Sequence, residues 1–188
     1  MYQRTRLLLF PTTVLALALH AIAAPVQAPI SPVRVSMPPV AGQAQLATRD
    51  RVFIKDAAEL GRFKVATSQL AMQQAASPRV SAFASSLVRD RQSADAGLRA
   101  LSQAKGVTPP MMTGGHRKTL NQLAKAHGAG FDRIYLDKVG LQSHQEGIKV
   151  FEKAGAAVKD PQLKAWIDET LPMMRNHLAQ AQIVSGRR

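Results

Sequence analysis

The chain has 188 residues, of which 46% are hydrophobic and none is cysteine, and a formal net charge of +13. Without thiols there are no disulfides, no cysteine nucleophile and no lipid tether through sulfur, so stability must come from a buried core. The basic residues are scattered and aromatics make up only 5%, which supplies neither the dense basic run nor the stacking platform of a specific nucleic-acid binder.

The first residues, Met1–Arg6, are basic; an apolar run from Leu7 to Leu19 follows, then the small-residue site Ala21-Ile22-Ala23. This layout predicts a secretory signal peptide over residues 1–23, cut after Ala23. Pro11 and His20 spoil a membrane-spanning helix. The mature form is therefore expected to carry no transmembrane span and to be periplasmic or otherwise exported. Removing Arg4 and Arg6 lowers the charge from +13 to +11. That balance favours anionic partners, either envelope components or a small anionic ligand. Residues 24–48 are rich in Pro and Ala and have no helical or alternating period, which predicts a disordered linker.

Residues 49–186 read as helices. A first helix runs to about Ala75, with Thr48 or Asp50 as its cap and a stripe of Phe53, Ala57, Leu60, Thr67 and Ala71. Ser77-Pro78 starts a second, with Val80, Phe83, Leu87, Ala94, Leu98 and Leu101 on one face. Gly106 stops it, and a Pro- and Gly-containing loop leads to a short helix over about 116–127. Two long helices follow, hinged at Lys159-Asp160-Pro161. The first carries Ile134, Leu141, Ile148, Phe151 and Val158 on its stripe, and the second Leu163, Ile167, Met174, Ala181 and Val184. Pro172 should kink or break the last. No strand pattern is present, so the expected fold is an all-α bundle of four long helices with a short crossover helix.

Each long helix breaks its apolar period once, at Lys64, Arg91, His144 and His177. Counted from the two hairpin turns, all four fall at one level. They form the candidate ligand-binding set, with Asp90, Asp56 and Asp137 as candidate counter-charges. One alternative is a metal site built from His144, His177, Asp90 and Asp137, since imidazole and carboxylate suit iron, zinc or copper. Another is a polar layer that only fixes register.

Di-iron bundles need Glu-x-x-His. Here Glu59, Glu146, Glu152 and Glu169 are followed three residues on by Arg62, Lys149, Gly155 and Pro172, so chemistry of that type is not expected. Ser143-His144 are helix neighbours that point different ways and make no nucleophile–base pair. His116 and His127, at the ends of the short helix, read as exposed or capping. Met111-Met112 and Met173-Met174 read as adaptable core filling, and Trp166 as a core or rim residue.

The segments Gly61-Arg62-Phe63-Lys64, Phe83 through Arg91, Phe131 through Leu136, His144 with Phe151, and Asp160-Pro161 through His177-Leu178 together resemble the domain of unknown function 4142 family. These are exported bacterial proteins with a ferritin-like four-helix bundle. The resemblance covers residues 50–184 and implies that fold, with Glu usual at position 64 and His at position 91, beside the two later histidines. The carry-over reaches only His144 and His177, because cations hold the other two places. No cofactor is expected on this reading. The expected function is that of an exported, non-catalytic, envelope-associated or stress-related binding module with a degenerate mid-bundle metal site. The alternative is a metal-binding or redox protein with a divergent His/carboxylate site.

Overall fold

The computed structural model describes residues 46–187, so the predicted leader and all but the end of the predicted linker lie outside the described residues. Leu46, inside the segment read as linker, is already buried in the core. The helices are α1 (Thr48–Gln74), α2 (Pro78–Ala104), α3 (Gly114–Ala124), α4 (Gly128–Tyr135), a π-helical stretch (Leu136–Gln142), α5 (Ser143–Ala157) and α6 (Pro161–Ser185). There is no strand among the described residues.

Helix α1 packs along α2, α2 along α6, and α6 along α5, while α4 and α5 close the ring against α1. With α4, the π stretch and α5 forming one continuous rod, the predicted four-helix bundle is present. The short α3 connects the two hairpins and lies against α1 and α4.

The helix ends follow local chemistry with two exceptions. Asp160 caps α6 by accepting from the Gln162 and Leu163 N–H groups (3.1 and 3.0 Å), with Pro161 behind it. Gly106, at φ 61°, turns the chain after α2, and Val107 N–H donates to the Ser102 carbonyl at 2.8 Å. Neither Thr48 nor Asp50 caps α1, however: Ala47 holds the cap position without a side-chain bond, and Asp50 is a buried first-turn acid. Ser77 also makes no side-chain cap. Asp132 of α4 takes over instead, accepting the Ala76 and Ser77 N–H groups at 3.0 and 2.8 Å. The turn between α1 and α2 is therefore closed from across the bundle.

The π stretch re-phases the third rod. Its wider turn accommodates an extra residue, so Phe131 and Tyr135 are fully buried while the predicted Ile134 is only half-buried. Tyr135 shares a 2.7 Å hydrogen bond with Ser68, and burial pushes its phenol pKa up. Helix α6 continues across Pro172, which sits on the exposed side.

Asp132→Ala leaves two turn N–H groups without acceptors and should cost about 1–3 kcal/mol of unfolding free energy. Ser77→Ala should cost far less, and equal losses in urea titration would contradict this account of the turn.

Candidate functional site

The core is two apolar clusters and not one. The first holds Phe53, Ile54 and Ala57 of α1, Leu98 and Leu101 of α2, Ile148 and Phe151 of α5, and Leu163 to Met174 of α6. The second holds Phe63, Ala71, Val80 to Leu87, Leu123, Phe131 to Leu141, and Ala181. Arg91, His144 and His177 each lie between the two clusters on their rods, and Lys64 follows Phe63 at the near edge of the second. All four turn inward, with 0%, 1%, 0% and 0% exposure respectively.

Glycine makes the room. A Cβ on Gly61 would collide with the Arg91 guanidinium and stand 2.7 Å from Asp95 Oδ1. On α5, a Cβ on Gly147 would stand 2.8 Å from Met174 Cε and 3.8 Å from Lys64 Nζ. Bare backbone at these two points lets long side chains lie across the helix surface.

Of the three carboxylates the sequence suggested, Asp90 reaches the centre. Arg91 donates through Nη2 to Asp95, one turn on, a residue the sequence reading missed although i,i+4 spacing signals it. Asp90 reaches His177, whose Nε2 lies 2.8 Å from Oδ2. Asp137 instead pairs with Arg187 at 2.9 Å near the surface, and Asp56 is exposed, so neither joins the centre. Among the described residues, no three His, Cys, Asp or Glu side chains come together as a metal-holding group.

Hydrogen-bond direction assigns the tautomers. His144 Nδ1 lies 2.9 Å from the Val139 carbonyl of the π stretch. A carbonyl only accepts, so Nδ1 carries the proton and Nε2 is bare in the neutral ring. By the same argument His177 donates Nε2–H to Asp90, which leaves Nδ1 bare. Both bare nitrogens are buried and have no hydrogen-bond partner in the protein, as do Lys64 Nζ and Arg91 Nε and Nη1. The imidazoles meet edge to face with centroids 5.6 Å apart. Five nitrogens at this level thus have no partner within the protein.

Burial, then the charges of Lys64 and His177, push His144 well below its ordinary pKa. Burial also lowers His177, although Asp90 pulls the other way. Lys64 is driven well below the ordinary amine value by burial and by Arg91. The charge balance is thus milder than two isolated cations would be. Asp95 answers Arg91, Asp90 lies against His177, and Lys64 is pressed toward its uncharged form.

Two sequence readings need correction away from the centre. His116 is not a free surface residue: its Nδ1 meets both Glu59 oxygens at 2.9 and 2.7 Å, and its ring stacks on Phe63 with centroids 4.0 Å apart. Met111 is not core filling, being 78% exposed. Met174 is buried as expected, and Trp166 anchors α6 to α2 by donating Nε1–H to the Ala94 carbonyl at 2.9 Å.

Fold and centre together define an all-α four-helix bundle with a buried nitrogen-rich level. The chain belongs to the family described as "Domain of unknown function (DUF4142)", which matches residues 35–184. The structure is similar to CopM in its Cu(I)-bound form, with a TM-score of 0.61 and 19% identity over 71% of this chain and 92% of that one. The Cu(II)-bound form of CopM gives a TM-score of 0.60 at 19% identity over 71% and 93%. At that identity the likeness shows the fold. No curated protein matches the chain.

Unfolded histidines titrate near 6.5, and both rings are lower in the fold. Below that pH the unfolded chain binds more protons, so acidification destabilises the native state. In chelator-treated protein the urea midpoint should fall between about pH 7.5 and about pH 5, and His144→Leu with His177→Leu should flatten that fall. An unchanged slope in the double variant would count against buried neutral imidazoles. Separately, Gly61→Ala should displace the Arg91–Asp95 pair and cost about 1–3 kcal/mol.

Proposed function

We propose that this is an exported, non-catalytic protein that holds a single transition-metal ion, copper foremost, between His144 and His177. The observation that carries the reading is the pair of buried imidazole nitrogens that face the interior as lone-pair donors without partners. Each ring is oriented by its other nitrogen, one on a backbone carbonyl and one on a carboxylate, the support that metal-ligating histidines ordinarily have. Imidazole suits copper and zinc, and thioether selects Cu(I). Met174, buried one turn from His177, adds a soft side chain to that neighbourhood.

Lys64, whose amine pKa is driven well below its ordinary value by burial, weakens the positive field beside the two rings. Arg91 pairs with Asp95, which holds the electrostatics of the level near balance. A bound ion would satisfy the two lone pairs at once. CopM, of the same fold, takes copper in both oxidation states, which supports the choice of metal. Export is supported by the leader pattern of residues 1–23, and an envelope setting by the positive balance of the chain.

One observation favours a second reading. Lys64 Nζ and Arg91 Nε and Nη1 are unpartnered donors, which suits a small anion.

Elemental analysis and equilibrium dialysis of untagged protein separate the two readings. The metal reading expects stoichiometric copper that is lost with His144→Ala or His177→Ala and retained with Lys64→Met. Protein that takes no metal but binds phosphate, and loses it with Lys64→Met, would establish the anion reading instead.

A further inference from the structure

The four central side chains are sealed from solvent, so an ion bound there must arrive by some route. A surface hollow between α1 and α5, under the loop that precedes α3, is lined by Asp56, Glu59, Met111, His116, Glu146 and Gly147, with Lys55 as the one cation. We propose that this hollow is the port through which a soft metal cation reaches His144 and His177, and that His116 is its first ligand. The inference rests on the metal reading above.

Three observations converge on it. The first is position. Gly147 belongs to both places, lining the hollow on one side and facing the centre on the other. A side chain there would meet Met174 Cε at 2.8 Å, and Lys64 Nζ, buried and unpartnered, lies 3.8 Å from the same point. Gly147 therefore separates the hollow from the centre, and the space its side chain would take is filled by Met174 and by Leu60, whose Cδ2 lies 3.0 Å from the same point. Met174, reached directly across Gly147, is the soft relay between the two.

The second is the donor set. Glu59, only 5% exposed, takes His116 Nδ1 with both oxygens and also accepts the Thr113 N–H at 2.6 Å. With Nδ1 tied and the ring stacked on Phe63, Nε2 is the nitrogen left for an arriving ion. Met111, highly exposed on the same rim, supplies a thioether. The third is charge. Three carboxylates against one lysine make this hollow acidic on a chain of formal charge +13, and a cleft of one sign raises the local concentration of the opposite ion. Asp56 shows the crowding: burial first, then Glu59, raises its pKa.

The port predicts a kinetic effect and no equilibrium effect. Untagged full-length protein is mixed anaerobically with the coloured Cu(I)–bicinchoninate complex, and the loss of colour is followed in time. Asp56→Asn with Glu146→Gln should slow uptake by about tenfold at low salt while the final copper content matches wild type, and His116→Gln should slow it as well. Glu152→Gln, which alters an exposed acid of α5 that is paired with Arg175 outside the hollow, should leave the rate unchanged. The port is overturned if the double variant loads as fast as wild type, if Glu152→Gln slows loading equally, or if the final copper content falls with the rate. A wild-type protein that removes no copper from the complex overturns the metal reading and the port together.

Discussion

The constraint on which the molecule depends is the interruption of its core at one level by side chains that carry more nitrogen than the protein can partner. Buried polar groups without hydrogen bonds cost free energy, and a low local dielectric sharpens that cost. The bundle absorbs it by assembling partial answers around the level. Asp95 meets Arg91 from the next turn, Asp90 meets His177 from the surface side, and the π stretch turns the Val139 carbonyl toward His144. Apolar clusters on either side supply the burial that shields the level from bulk solvent. What is left over after these pairings is directional: two lone pairs and a few N–H donors, all facing inward.

Fold and centre are consequences of one hairpin geometry used twice. Each hairpin carries its polar pair at matching distances from its turn, and the two turns are secured independently, one by the Asp160 cap and the other by Asp132 reaching across from α4. The positions of Gly61 and Gly147 complete the design, because each leaves backbone bare where a long side chain must pass. A bundle of similar fold holds copper in CopM.

Much of this was legible in the residues themselves. The apolar stripes of α1, α2 and α6 match the buried faces, and the four interruptions of those stripes all meet at the centre, because a break in a 3.6-residue period is also a statement about which way a side chain points. The third rod was less legible. Ile134, Leu141 and Ile148 recur at steps of seven and mimic an unbroken helix, so the π stretch that buries Phe131 and Tyr135 left no trace in that count. Asp95 lay within reach of helix spacing from Arg91. Glu59 with His116, and Asp132 with the Ala76–Ser77 turn, join residues more than fifty positions apart, and no local pattern reveals such pairs. With Asp95 beside Arg91 and Asp90 beside His177, the level is close to balanced.

The proposed centre depends on the state of two rings, and long-range proton–nitrogen correlation spectra of the metal-free protein at neutral pH observe that state directly. His144 is expected as the neutral tautomer protonated at Nδ1, and His177 as the neutral tautomer protonated at Nε2. Imidazolium signals from either ring, or the opposite tautomers, would mean that no pair of bare nitrogens faces the interior, and the proposed centre would not exist.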